Sequence, residues 1–112
     1  MSTPDAFRRL ALALPGAAEG AHMGHADFRA NGRIFATLGS PDDAHGMVQL
    51  PAEEQALRVE AAPEVFRPAQ GAWGRGGSTY VTLAAADEPT LRGALACAHA
   101  AALAKPKGRS KA

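Results

Sequence analysis

Apolar residues recur at helical spacing near the start of the chain. Phe7, Leu10 and Leu14 fall on one face of an α-helix. Thr3 has a side chain suited to capping the first backbone N–H groups of that helix, and Pro15 would end it. The pattern therefore predicts an amphipathic first helix whose apolar face contributes to a core.

Between residues 20 and 50 the pattern changes to short apolar runs separated by turn residues, which is typical of β-strands. The predicted strands comprise residues 20–23, 28–30, 33–38 and 47–50. Asn31 and Gly32 indicate a two-residue hairpin between the second and third strands, because both residue types tolerate a positive φ angle. A further strand is predicted at residues 78–84, where β-branched and aromatic residues are concentrated.

Two more helices are predicted in the second half of the chain. Glu53 and Glu54 favour a helix start, since negative charge is stabilised at a helix N-terminus. The last helix is expected to begin near Asp87, and Leu91 and Leu95 lie on one of its faces. The order helix, strands, short helix, strand, helix predicts an α+β fold with an antiparallel sheet and helices on one of its faces.

Charge is distributed unevenly along the 112 residues. The last eight residues contain four cations, namely Lys105, Lys107, Arg109 and Lys111. Without them the chain carries 8 Arg against 11 Asp and Glu, a net charge of −3. A short polar segment of this kind buries too little apolar surface to fold by itself. We therefore expect one domain over residues 1–104 and a disordered basic tail over residues 105–112.

The composition lacks the features of an exported or membrane protein. Cys97 is the only cysteine, so no internal disulfide can form, and its alanine-rich surroundings favour a buried, unreactive thiol. No apolar run approaches the length that spans a bilayer, and the first residues do not resemble a signal peptide. We therefore expect a cytoplasmic protein without contact with a membrane.

Residues 19–39 contain the side chains best suited to a metal site or an acid/base pair. His22 and His25 lie three positions apart in the sequence. Only Asp27 and His45 are close enough along the chain to be candidates for a third ligand, and no recognised zinc motif is present. We therefore expect no tightly bound metal and no cofactor.

The same segment is instead interpreted as a pair of strands with a polar outer face. Core contacts are expected from Phe28, Ile34, Phe35 and Leu38. A partly exposed face of the sheet is expected to carry His22, Asp27, Arg29 and Arg33. In this interpretation Arg33 pairs with Glu19 or Asp27 across the strands.

No residue pattern indicates an enzyme. Ser78 lacks the Gly-x-Ser-x-Gly setting of a hydrolase nucleophile, and Cys97 lies in a predicted helix. The sequence GRGGS at residues 74–78 lacks the Lys-Ser/Thr ending of a phosphate-binding P-loop. We therefore expect residues 71–77 to form a flexible loop and the protein to have no catalytic residues.

Four stretches of the chain resemble a known family. In order they read LALPGAAEG, FRANGRIFATL, PEVFRPA and WGRGGSTYVTL, and a closing helix follows. Through them residues 7–104 are similar to the MmcQ/YjbR-like family, which is sometimes labelled DNA-binding and whose fold resembles that of CyaY and frataxin. The resemblance implies a curved antiparallel sheet flanked by the N- and C-terminal helices. It implies no established reaction.

The resemblance to frataxin raises iron binding as a further question. In frataxin-like proteins iron binding depends on carboxylates clustered on the first helix and its edge. Here the first helix carries Asp5 alone, together with Arg8 and Arg9. This departure argues against iron delivery.

The family label makes DNA the first partner to consider. The expected binding residues lie in or beside the family motifs and in the tail: Arg29, Arg33, Arg67, Trp73, Arg75, His22, Lys105 and Lys107. The alternative is a polar pocket beside the sheet that binds an anionic small molecule or an acidic protein segment. A continuous basic stripe would favour DNA, whereas a closed pocket with convergent polar groups would favour a ligand. Trp73 has a structural alternative too, as a residue that covers the sheet.

Overall fold

The computed structural model describes residues 1–39 and 41–105. The helices are α1 (Pro4–Leu12), α2 (Ala52–Ala61), α3 (Gly71–Arg75) and α4 (Glu88–Ala104). The strands are β1 (Ala18–His22), β2 (His25–Ala30), β3 (Arg33–Leu38), β4 (His45–Gln49), β5 (Phe66–Pro68) and β6 (Ser78–Thr82). The predicted α+β class is confirmed. Among the described residues, no helix has the length and apolarity needed to cross a bilayer.

The six strands form one sheet in the order β1-β2-β3-β4-β6-β5, and every neighbouring pair is antiparallel. β5 therefore lies at one edge of the sheet, next to β6, which follows it in the sequence. The strand predicted at residues 78–84 ends at Thr82, because residues Leu83–Ala85 form a turn of 3₁₀-helix. β6 is thus shorter than its β-propensity suggests.

Helices α1 and α4 lie side by side on one face of the sheet, which we call the inner face. Phe7 of α1 and Leu95 of α4 are fully buried against Phe28 and Val48 of the strands. The buried imidazole of His99 donates from Nε2 to the carbonyl of Pro15 over 2.7 Å. The first and last helices thus close the same core.

A β-bulge in β3 changes which side chains reach the core. Phe28 pairs with Ala36, but its neighbour Arg29 pairs with Ile34, so that Phe35 is an extra residue in β3. Phe35 is completely buried, with its ring 5.4 Å from that of His99 on α4. The prediction that Ile34 belongs to the core is wrong, because the bulge turns Ile34 towards the opposite face of the sheet, where it is only half-buried.

The first and last helices begin where they were predicted, and each start has a capping side chain. The hydroxyl of Thr3 accepts a hydrogen bond from the backbone N–H of Ala6 over 3.1 Å. Asp87 Oδ1 accepts from the backbone N–H of Thr90 over 2.8 Å. Each bond satisfies one N–H group that the first turn of the helix leaves without a partner. Both helix predictions are confirmed at these ends.

The predicted hairpin between β2 and β3 is confirmed. Asn31 and Gly32 have φ angles of 56° and 73°, as a tight two-residue turn requires. Asn31 has a second role, because its Nδ2 donates to the carbonyls of Ala102 over 3.0 Å and Lys105 over 2.9 Å. The turn is therefore bonded to the end of α4.

Replacing Gly32 with valine should lower the free energy of unfolding by about 1–2 kcal/mol, since a β-branched residue is strained at positive φ. Urea denaturation measures the change. Gly93→Ala is the matched control, because a Cβ atom there meets nothing closer than 3.8 Å and alanine favours the helix. Unchanged stability of the valine variant would contradict the turn geometry.

The prediction of a flexible loop at residues 71–77 is wrong. Gly71–Arg75 form the short helix α3, and Gly74 is buried against the preceding segment. A Cβ atom on Gly74 would lie 1.9 Å from the carbonyl oxygen of Ala69. The glycine allows two backbones to approach closely, so that α3 sits firmly beside β6.

Candidate functional site

One row of paired residues crosses the face of the sheet opposite α1 and α4, which we call the outer face. Directly paired residues of antiparallel strands carry their side chains on the same side. The row contains Asp27, Thr37, Met47, Tyr80 and Arg67, one residue from each of five neighbouring strands. It brings polar, aromatic and charged groups together without the cover of the two long helices.

A groove of about 580 Å³ lies on the outer face and is bounded by α3 and the β1–β2 turn. Its polar lining consists of His22, His25, Thr37, Gln49, Ser78 and Tyr80. Its apolar lining consists of Met23, Ile34, Met47, Ala69 and Trp73. The volume is in the range of sites that bind small organic molecules.

Asp27 supports one end of the groove through its bond to His22, and the prediction that it lies on a partly exposed face is wrong because its side chain is completely buried. Arg29 donates from Nε to Asp27 Oδ1 over 2.8 Å and from Nη2 to Oδ2 over 3.1 Å. His22 Nδ1 lies 2.7 Å from Asp27 Oδ2. Because a carboxylate accepts, His22 carries a proton on Nδ1, and in the neutral imidazole Nε2 is then an acceptor.

The electrostatics of this cluster favour the ionised carboxylate. The Arg29 guanidinium holds the pKa of the Asp27 carboxyl below its ordinary value of 3.8, with a smaller contribution from His22, although burial alone would raise it. The same contact raises the pKa of Arg29. The guanidinium is therefore committed to Asp27 and is partly neutralised by it.

Gly20 of β1 explains how Arg29 reaches Asp27. The two residues opposite each other across β1 and β2 are Gly20 and Asp27. A Cβ atom on Gly20 would lie 3.0 Å from Asp27 Oδ1 and 3.2 Å from Arg29 Nε. The missing side chain leaves the space in which the guanidinium meets the carboxylate.

Thr37 lines the floor of the groove with an unsatisfied polar atom. The residue is only 2 % exposed, and its hydroxyl has no hydrogen-bond partner within the described ranges 1–39 and 41–105. Such a group costs free energy in the ligand-free fold. Its direct cross-strand neighbour is Met47, whose flexible side chain adapts readily to a bound molecule.

Aromatic rings form the far side of the groove. The Arg67 guanidinium carbon lies 5.3 Å from the centre of the Tyr80 ring, within the range of a cation–π contact. The Trp73 side chain projects from α3 with 75 % of its surface exposed. The interpretation of Trp73 as a residue that covers the sheet is therefore not supported, because most of its indole remains in solvent.

Ser78 and Cys97 carry the hydroxyl and thiol that the sequence analysis considered as nucleophiles. The hydroxyl of Ser78 donates to the amide oxygen of Gln49, its direct partner across β4 and β6. Burial raises the pKa of the Cys97 thiol, and the Glu54 carboxylate adds to the effect. The thiol is therefore protonated at neutral pH.

The two histidines considered as possible ligands of one metal lie opposite each other across β1 and β2. His22 bonds to Asp27, and its ring centre lies 6.5 Å from that of His25. His45, considered as a third ligand, instead lies with Nδ1 2.7 Å from Asp42 Oδ1. In the part of the chain that the structure describes, no three His, Cys, Asp or Glu residues are grouped so that they could hold a metal ion.

The structure divides the predicted site residues into two groups. His22 and Trp73 line the groove, Arg29 reaches it through Asp27, and Arg67 reaches it through Tyr80. A second cavity is lined by Arg33, Arg75 and Lys105. Lys107 lies outside the described residues.

The predicted partners of Arg33 are used by other arginines. Arg8 donates from Nε to Glu19 Oε1 over 3.1 Å, and Asp27 is held by Arg29. Arg33 instead lines the second cavity. The pairing of Arg33 with either carboxylate across the strands stays a prediction.

Sequence reasoning missed Thr37, Met47 and Gln49 as parts of a site. They are ordinary strand residues, and only the strand register places them in one groove. The alternation of β4, in which His45, Met47 and Gln49 share a face, was the available signal. For Thr37, the β-bulge at Phe35 interrupts the alternation of β3, so the sequence pattern did not show which face of the sheet Thr37 occupies.

Comparison with known proteins agrees with this architecture. The YjbR family model matches residues 12–101. No curated protein matches the sequence. The crystal structure of Deinococcus radiodurans protein DR2400, with a DUF419 domain, superposes with a TM-score of 0.78 at 19 % identity, covering 94 % of this chain and 81 % of that one. At that identity the likeness shows a shared fold. Because the family model spans most of its length, the chain belongs to the YjbR family.

Proposed function

We propose that this YjbR-family protein is a binding protein rather than an enzyme, and that the groove holds a planar organic molecule with hydrogen-bonding groups at its edge. One observation carries the proposal. Trp73, whose indole is exposed, lines the same 580 Å³ groove as Thr37, whose buried hydroxyl has no hydrogen-bond partner among the described residues. An apolar wall with a few convergent polar groups is the usual composition of a ligand site.

The apolar walls suit a flat ring. Trp73 supplies an exposed aromatic face, and Tyr80 supplies a second ring in the same groove. Met47 lies directly opposite Tyr80 on the neighbouring strand and can adjust its shape to the occupant. A planar molecule placed between these side chains buries apolar surface and gains aromatic contact on at least one side.

The polar groups suit the edge of such a ring. In its neutral form His22 presents Nε2 as an acceptor, because its Nδ1 proton is directed to Asp27. The amide of Gln49 accepts from Ser78 and retains its N–H groups as donors. Thr37 adds a hydroxyl that is able both to donate and to accept. Donors and acceptors at fixed positions would select among planar molecules of similar size.

DNA binding is our second candidate, with a single strand as its favoured form. The specific observation is that Trp73 and Tyr80 offer ring faces on an open sheet surface, where bases stack without regard to sequence. Duplex DNA is less well supported. Arg29 is committed to Asp27, and the chain before residue 105 carries a net charge of −3, so attraction to a phosphate backbone is weak.

The test is a titration of the protein with a library of neutral planar heteroaromatic compounds. Trp73 is the only tryptophan, so its fluorescence reports directly on the groove. ¹⁵N-resolved NMR spectra should show shifts at the amides of Met47 and Tyr80 for those compounds that bind. If no compound moves these amides or the fluorescence of Trp73, the proposal is overturned.

Thr37→Val distinguishes a functional hydroxyl from a structural one. Valine removes the buried unsatisfied oxygen at nearly constant volume, so the free energy of unfolding should rise by about 1 kcal/mol. Affinity for a groove ligand should fall at the same time. Urea denaturation and the fluorescence titration measure the two effects. A Thr37→Val protein that is less stable than the native one would show that the hydroxyl has a partner in the ligand-free fold.

A further inference from the structure

A second, smaller cavity adjoins the groove. Its volume is about 270 Å³, and we call it the cationic pocket. Ile34 and Gln49 line both the cationic pocket and the groove. The two cavities therefore share part of their walls.

Three cations from three separate elements meet at this pocket. Arg33 begins β3, Arg75 ends α3, and Lys105 directly follows α4. Among the described residues that line it there is no aspartate or glutamate. Cations gathered around one small cavity attract an anion.

The positions of these cations are fixed by the fold. The backbone carbonyl of Lys105 accepts a hydrogen bond from Asn31 Nδ2 over 2.9 Å, which holds the end of α4 beside the hairpin that carries Arg33. Arg75 is placed by α3, whose Gly74 packs on the backbone of Ala69. The pocket is thus assembled by two separate packing contacts.

The backbone contributes to the same electrostatic pattern. Pro51 and Ala52 line the pocket at the start of α2, and no side chain caps that helix end. The start of a helix carries partial positive charge from N–H groups without intrahelical partners. Glu53 and Glu54 in the same first turn offset part of this charge, although neither of them lines the pocket.

We propose that the cationic pocket binds the phosphate group of a nucleotide whose base lies in the groove. The assignment of the base rests on the proposed function, whereas the phosphate site rests on the cations alone. Guanidinium groups form two parallel hydrogen bonds with phosphate oxygens, and three cations balance a doubly charged phosphate better than a single carboxylate. The nucleotide is either free or the 5′-phosphorylated end of a single strand, since both present the same base and the same terminal phosphate.

The experiment compares adenosine, adenosine 5′-monophosphate and inorganic phosphate on the full chain. The monophosphate should bind about tenfold more tightly than adenosine, because only it gains charge-assisted bonds in the pocket. Inorganic phosphate should shift the amides of Ala52 and Gly76 and leave those of Met47 and Tyr80 in place. Added salt should weaken the binding of the monophosphate and leave the binding of adenosine nearly unchanged.

Variants separate this effect from general changes of the surface. Arg75 is exposed, so Arg75→Gln should fold normally and bind the monophosphate no better than adenosine. Arg75→Lys should recover part of the difference. Arg92→Gln is the matched control, because Arg92 is an exposed arginine of α4 that pairs with Glu88 away from the pocket. It should bind both compounds as the native protein does.

The outcomes distinguish the two proposals. Equal affinity for adenosine and its monophosphate would overturn the phosphate site and leave the groove as a binding site. Monophosphate binding that moves only the pocket amides would overturn the placement of the base and, with it, the proposed function. A 5′-phosphorylated single strand that binds more tightly than the monophosphate would assign the nucleotide to a strand, and weaker binding would assign it to a free nucleotide.

Discussion

The Gly74→Ala variant is expected to lose about 3 kcal/mol or more of unfolding free energy, close to the upper end of the effects of overpacking. The added Cβ atom would sit 1.9 Å from the carbonyl oxygen of Ala69. A backbone oxygen cannot move aside as a flexible side chain does, so α3 must shift as a unit. Gln55 opposes that shift, because its Nε2 donates to the carbonyl of Gly74 over 3.0 Å and to Thr79 Oγ1 over 3.0 Å.

Displacement of α3 should also alter the groove, since Trp73 precedes Gly74 in the chain. Urea denaturation measures the loss of stability, and Trp73 fluorescence measures the change in its environment. Gly76→Ala is the matched control, because its Cβ atom would lie at ordinary contact distances of 3.4 and 3.5 Å from two carbonyl oxygens. Equal stability of the two variants would show that α3 does not pack as closely as described.

The Asp27→Asn variant is expected to lose about 2 kcal/mol of unfolding free energy at neutral pH. The carboxylate accepts hydrogen bonds from both Arg29 and His22. The asparagine amide is uncharged, and its NH₂ group is a donor that would face one of these donors. The Arg29 side chain is 48 % exposed, so water compensates part of the loss and the effect remains below that of a fully buried broken pair.

The effect of Asp27→Asn should depend on pH in one direction. The pKa of Asp27 is lowered in the folded protein from its ordinary value of 3.8, so the carboxylate contributes its full stability above that value. The contribution is lost as the pH falls through the lower folded pKa. The two proteins should therefore converge in stability in acid. Asp43→Asn, at an exposed position, is the control and should differ little from the native protein at any pH.

Local rules were sufficient to predict much of the fold. Thr3 and Asp87 each supply a capping oxygen, and each marks a helix start where it was expected. Asn31 and Gly32 specify their turn through residue type alone. These features depend on neighbours within four residues, which a sequence displays directly.

Features that depend on distant neighbours were not predictable. The bulge at Phe35 arises from the pairing of β2 with β3, and it turns Ile34 to the outer face of the sheet. The glycines of residues 74–77 suggested flexibility, although Gly74 is required by a carbonyl oxygen five positions earlier. Composition and pattern indicate that glycine is present but not which backbone approaches it.

The candidate site shows the same division. Arginines were selected from the sequence because residue type alone gives their charge. The structure places them in three different environments: an ion pair with Asp27, a cation–π contact with Tyr80 and the cationic pocket. Thr37 attracted no notice in the sequence, since a threonine in a strand is ordinary. Its importance comes from the absence of a hydrogen-bond partner among the described residues, which only packing reveals.

The pairing of the first and last helices has a consequence for synthesis on the ribosome. α1 emerges early, but the helix beside which it packs is α4, and the bond from His99 to the Pro15 carbonyl joins positions 84 residues apart. Until α4 has left the exit tunnel, Phe7 and the inner face of the sheet lack their cover. The nascent chain therefore exposes apolar surface during most of its translation, a period in which binding by a chaperone would be most useful.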